Sequence, residues 1–152
     1  TKYHLFTENV IGALKFYGAN VTAIEDNVRL SKRLHIPSRR LRGFESHKVG
    51  PKDGVDYVGG NYATALNFEA ALPNLLPEST QTDVAVFMDA GNLWGVDYDS
   101  SVNDSNGIRS SVGINSNIYT PIGPLSFVFA LPITKESTDT TQTFLFQIGT
   151  SF

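Results

Sequence analysis

Through the second half of the chain, apolar and polar residues alternate with a period of two, in blocks of roughly ten residues set apart by turn-forming stretches. In the first clear block Tyr62, Thr64, Leu66, Phe68, Ala70 and Leu72 share one side, while Asn61, Ala63, Ala65, Asn67, Glu69 and Ala71 share the other. Successive strand residues point to opposite faces, so this predicts a β-strand whose two faces meet different surroundings. A turn from Pro73 through Pro77 leads to a second strand, with Thr82, Val84, Val86 and Met88 opposing Asp83, Ala85, Phe87 and Asp89. A polar loop from Asn92 to Gly107 follows, and then Ile108, Val112, Ile114 and Ile118 oppose Arg109, Ser111, Gly113, Asn115 and Asn117. Turn signals at Pro121 and Gly123-Pro124 precede a strand in which Leu125, Phe127, Phe129 and Leu131 oppose Ser126, Val128 and Ala130. The last block sets Phe144, Phe146, Ile148 and Phe152 against Leu145, Gln147, Gly149 and Ser151. A weaker alternation runs from Asn9 to Gly18, with Val10, Leu14 and Phe16 on its apolar side.

Two architectures are built from such strands. A soluble β-sandwich packs the apolar faces inward and wets the polar ones. An outer-membrane barrel turns the apolar face to lipid and the polar, small-residue face to its lumen. Period two is common to both, so the pattern leaves both open. Strands near the ~9–11 residues that cross a bilayer when tilted favour the barrel. So do aromatics toward strand ends, at Tyr62, Tyr119 and Phe152. On the barrel reading Val84, Val86, Val112, Ile114, Phe127, Phe129, Phe144 and Phe146 face lipid, and a charge at Ala85, Ser111 or Ser126 is tolerated.

From residue 19 to residue 60 the alternation disappears. This stretch holds Pro37, Pro51 and five glycines, and loops of such length are usually functional or disordered. Eight of the chain's twelve Lys and Arg lie between Arg29 and Lys52, whereas residues 61–152 carry nine Asp or Glu against Arg109 and Lys135 alone. A basic loop thus faces an acidic scaffold. At its centre stand Arg42, Gly43 and Phe44.

Composition excludes several classes. A net charge of −3 gives no general attraction to nucleic acid. No apolar run approaches the ~18 residues of a membrane helix. The absence of Cys removes disulfides and thiolate metal sites. His4, His35 and His47 lack metal-ligand spacing, and the Gly-rich stretch at 54–60 lacks the Lys-Ser/Thr of a phosphate loop, so neither a metal nor another cofactor is expected. No catalytic residues are assigned: Glu69 and Asp89 suit a general acid/base pair by type, but an arginine between them suits a structural clamp better. Thr1-Lys2-Tyr3 is no start signal, and the chain is expected to be cut from something longer.

Five segments taken together resemble the BamA-type outer-membrane assembly factors, the bacterial surface antigen family. They are Arg42-Gly43-Phe44 with Val49-Gly50-Pro51, Gly59-Gly60-Asn61 with Asn67-Phe68-Glu69, the run Phe87 to Trp94, Thr120 to Leu125, and the ending Phe144 to Phe152. The resemblance implies an all-β, antiparallel transmembrane barrel of about sixteen strands, of which residues 1–152 are the carboxyl-terminal segment and 19–60 a loop inserted in the lumen. It implies that Arg42 pairs with Glu69 and Asp89 on the wall, that Gly43 permits a close approach and that Phe44 anchors by packing. It also implies that the last strand, with Phe144, Phe146, Gly149 and Phe152, forms a lateral gate. The function implied is folding and insertion of β-barrel proteins into the bacterial outer membrane. The partners implied are unfolded barrel clients, accessory assembly lipoproteins, outer-membrane lipid and lipopolysaccharide. A transport pore of the two-partner secretion type and a soluble β-sandwich binding module are the alternatives. Arg29, Lys32, Arg33, Arg39 and Arg40 either hold the loop against the acidic lumen or contact lipopolysaccharide phosphates, and most of them are read as a solvated basic face.

Overall fold

A computed structural model describes residues 1–7, 9–24, 26–104 and 107–149. Nine strands follow in order: β1 (Lys2–Thr7), β2 (Val10–Asn20), β3 (Lys52–Asp53), β4 (Asp56–Tyr57), β5 (Tyr62–Leu72), β6 (Thr82–Trp94), β7 (Arg109–Thr120), β8 (Gly123–Thr134) and β9 (Phe144–Ile148). Seven of them form one antiparallel sheet in the order β1, β2, β5, β6, β7, β8, β9, and β3 and β4 form a small hairpin within the long loop. The sheet has two ends, because β1 and β9 do not pair with one another.

The register puts the small and polar residues on a common face. Asn67 lies opposite Asp89, Asp89 opposite Ser111, and Gly113 opposite Ala130. Short connections (the β1–β2 turn, residues 73–81 and residues 121–122) gather at one end of the sheet. The long ones (residues 21–61, 95–108 and 135–143) gather at the other. At the short end Gly123 closes the β7–β8 turn with φ at +121°, a backbone region that costs a glycine little and other residues much.

The core lies between the inner face of this wall and the loop of residues 21–61. Ile36, Leu41, Phe44 and Val49 from the loop are packed with Ala63 of β5 and Leu93 of β6 and flanked by Tyr17 and Leu34. A second cluster joins Phe87, Val128 and Ala130, with Leu145 beside it. The opposite face is left apolar and uncovered: Phe16, Leu66, Phe68, Val86, Met88, Ile114, Phe129, Leu131, Phe144 and Phe146 are all exposed. A soluble sandwich buries that face, and an uncovered apolar stripe across a whole sheet fits a wall whose outer solvent is lipid.

Three strands run longer than the alternation suggests, the first being β2, which takes in residues 19 and 20, read above as the start of the loop. Residues 92–94, assigned above to a loop, continue β6, and Leu93 points inward although apolar, because the loop covers that end of the wall. β8 takes in Gly123, Pro124 and Pro132, with an irregular register between Ser110 and Ser111 where Pro132 lies opposite. β9 is described over Phe144–Ile148, and Gly149 follows at φ +119° with its N–H donated to the Pro124 carbonyl. Phe152 lies outside the described residues.

Candidate functional site

Asp89 at the middle of β6 and Glu69 on neighbouring β5 both project from the inner face, where period two directs them. Arg42 descends to them from the loop. Its Nε donates to Asp89 Oδ2 at 2.7 Å, one terminal nitrogen donates to Asp89 Oδ1 at 2.8 Å, and the other donates to Glu69 Oε2 at 2.6 Å. The Arg42 backbone N–H also donates to Asp89 Oδ2, at 3.0 Å. The planar fork thereby spans two carboxylates at once, a geometry that an ammonium lacks. Below it lies the Phe87 ring, 3.6 Å from the guanidinium carbon. Burial works against the guanidinium's charge, but the hydrogen bonds and charges of Asp89 and then Glu69 outweigh it and raise the Arg42 pKa. Asp89 is fully buried, so removal of the arginine leaves an uncompensated charge.

Gly43 lets the loop backbone touch the wall. Its φ is +92°, and a Cβ there would lie 3.1 Å from the Ser111 Cβ and 3.2 Å from the Ala130 Cβ. Ser111 donates its hydroxyl to the Arg42 carbonyl. Ser111 is therefore part of the seat and not a tolerant lumen position, contrary to the reading from pattern alone. Phe44 is 1% exposed within the loop core. Nearby, Asn67 donates to the Arg40 carbonyl at 2.8 Å and the Arg40 guanidinium carbon lies 3.7 Å from the Tyr17 ring centre. Below the seat a polar cavity of about 210 Å³ opens among Lys15, Arg42, Glu69, Asn115 and Gln147.

Two further arginines fix loops at this end of the wall, Arg33 within the docked loop and Arg109 at Asp139, and pattern did not pair them with these acids. Arg33, counted above with the solvated basic face, is buried: it donates to Asn61 Oδ1 at 3.0 Å, to the Val28 carbonyl at 3.0 Å and to Asp97. Asp97 in turn accepts from Val28 N–H and Asn61 Nδ2, at 3.0 and 2.9 Å. Burial raises its pKa, but those two donors together with Arg33 prevail and lower it to about 2. Arg109 at the start of β7 is fully buried and donates to Asp139 at 2.9 and 3.2 Å and to Asn92 at 2.7 Å. No period marks Asp97 or Asp139, since both stand in loops. Arg29, Lys32 and Arg39 are exposed. The His35 and His47 ring centres lie 5.2 Å apart with their planes tilted by 48°, and among the described residues no cluster of His, Cys, Asp or Glu suits a metal ion.

The terminal strand lies at the far edge from β1. Phe144 and Phe146 point to the outer face and pair with Phe129 and Phe127 of β8, with ring centres 4.9 and 5.0 Å apart. Among the described residues, Phe144–Ile148 of β9 pair with Leu125 to Phe129 of β8. The other edge of β9 has no partner among the described residues.

Residues 2–152 match the Omp85 superfamily domain. The outer membrane protein assembly factor BamA of Neisseria meningitidis serogroup B is 30% identical over 139 residues, and that of Neorickettsia risticii 33% identical over 115. Each alignment covers 74% of this chain, but only 17% and 16% of the relative's length. A SAM50-like protein of Schizosaccharomyces pombe is 30% identical over 109 residues, covering 67% of this chain and 22% of its own. Among solved structures, BamA from Haemophilus ducreyi lacking POTRA domains 1–3 superposes with a TM-score of 0.80 at 25% identity, across 95% of this chain and 32% of that one. The Neisseria and Neorickettsia relatives are outer membrane protein assembly factors, and the wall described above has the antiparallel all-β fold of the BamA structure. The chain belongs to the Omp85 superfamily.

Proposed function

We propose that this chain is the carboxyl-terminal segment of a barrel of about sixteen strands that folds and inserts β-barrel proteins into the outer membrane. Residues 1–152 form that segment, and residues 21–61 are its lumen-docked loop. The reading is supported by the rigid seating of the loop on the wall through Arg42, Asp89 and Glu69, in a sheet that superposes on a BamA structure. In lipid, each unsatisfied backbone group at an open strand edge costs several kcal/mol, so an incoming strand is strongly favoured wherever β9 parts from a neighbour. Arg42, Glu69 and Asp89 keep the loop in place and the wall in register; they transfer no proton. The clients are unfolded outer-membrane β-barrel proteins. Accessory lipoproteins, outer-membrane lipid and lipopolysaccharide are further partners, the last through the exposed Arg29 and Lys32 near the long-loop end.

The test reconstitutes the intact protein that carries this chain into lipid vesicles and follows the folding of an added unfolded barrel protein. Faster client folding, together with photocrosslinks from β9 positions to the client, supports the reading. Unchanged client folding with ion conductance in planar bilayers would replace it with a transport pore.

A further inference from the structure

The loop of residues 135–143 precedes β9, and it is bound to the docked loop as closely as to the wall. Glu45 N–H donates to the Thr140 carbonyl at 2.9 Å, Thr140 N–H to the Lys48 carbonyl at 2.9 Å, and Gln142 N–H to the Gly43 carbonyl at 2.9 Å. Phe44 and Thr141 form an antiparallel bridge. Residues 140–142 thus act as an added strand for residues 43–48, and Phe144 begins β9 two residues later.

Asp139 fixes this junction. Both its oxygens engage Arg109 of β7, one oxygen also accepts the Gly50 N–H at 3.2 Å, and the other accepts the Glu136 N–H at 2.8 Å. One buried carboxylate therefore ties together the wall, the docked loop and the lead-in to the last strand. Tyr57, from the β3–β4 hairpin, adds a hydroxyl contact to Thr140 Oγ1 at 2.9 Å.

We infer that Asp139, held by Arg109, is a positioning residue that couples the seating of the Arg-Gly-Phe loop to the stability of the β9 edge. Residues 43–48 cannot lift from the wall without breaking the bonds that hold residues 140–142, and release of those residues frees the upper end of β9. The inference rests on the functional reading above for its significance, but not for its test.

The experiment is amide hydrogen exchange on the intact protein in detergent or nanodiscs, comparing wild type with Asp139→Asn, Arg42→Ala and the double variant. Asp139→Asn is expected to speed exchange about tenfold or more in both residues 43–50 and residues 144–148, with β5 and β6 unaffected, because a charge-assisted junction has opened locally. The double variant is expected to exchange in β9 no faster than the faster single variant, since both act through one bridge. Multiplied effects would mean two independent losses of stability and would overturn the coupling. Faster exchange in only one of the two segments would overturn it as well. If Asp139→Asn does not fold, Tyr57→Phe, which leaves no charge uncompensated, carries the test with the same joint response of smaller size. Joint loosening without any change in client folding would leave the coupling standing and count against the assembly reading.

Discussion

The two faces of the same strands obey opposite rules. On the outer face Val86, Met88, Ile114 and Phe129 are exposed and apolar, while on the inner face Asp89, Arg109 and Ser111 are polar and fully buried. In a protein surrounded by water this distribution would be unstable, and in lipid it is required. The difference teaches that burial here does not signal hydrophobicity. The inner face is buried by a loop that brings its own charges, so its stability comes from matched polar geometry, and that of the outer face from its predominantly apolar side chains.

The comparison can be broken first at its most polar point. Arg42→Ala should destabilise the intact barrel by about 3–5 kcal/mol, because Asp89 and Glu69 remain in a confined site without their counter-ion. Equilibrium unfolding in detergent measures the loss, and protease cleavage within residues 21–61 should appear with it. Val86→Arg attacks the other face and should cost about 2–4 kcal/mol near the membrane midplane. Ser111→Arg separates the faces more sharply: a wet lumen would tolerate it, whereas the packing of Gly43 on Ser111 predicts an undocked loop. Cleavage susceptibility of the loop distinguishes the two outcomes. Gly43→Ala should cost about 1–3 kcal/mol, from a left-handed backbone combined with Cβ contacts on the wall.

The smallest effect is one of pH. The Asp97 carboxyl has a folded pKa of about 2, below its ordinary value of 3.8. An acid whose pKa is depressed by folding stabilises the fold above its ordinary value. That contribution fades as pH falls from about 4 through about 2. Hydrogen exchange near Val28 and Asn61 should therefore quicken over that interval in wild type and show a flatter response in Asp97→Asn. The outer face carries no such group and should not respond.

Much of the wall is legible from period two, since the inward set on β5 to β8 follows directly from alternation. Glu69 and Asp89 fall on one face of adjacent strands by that rule alone. Arg42 is connected to them only through resemblance to a family, because nothing in residues 19–60 repeats. Asp97 and Asp139 are illegible for a related reason: their arginine partners stand 64 and 30 residues away, and no local pattern links a loop acid to a base at such distance. Leu93 and the far end of β6 mislead in another way. Where the loop's apolar side covers the wall, an inward residue is apolar, and the alternation that marks the strand fades into uniform burial.

The loop must wait for its seat. Arg42 reaches 47 residues forward to Asp89, Arg33 reaches 64 to Asp97, and Gly50 reaches 89 to Asp139. As the chain is made, the loop emerges before any of these partners, and contacts so distant in sequence form slowly. A slip of one residue in β6 would turn Asp89 outward and leave Arg42 with nothing to grip. Docking is thus a late event that succeeds only on a correctly aligned wall, and the arginine serves as a register check. In refolding, protection of residues 21–61 from protease should trail the appearance of strand signal, and a simultaneous onset would argue against this order.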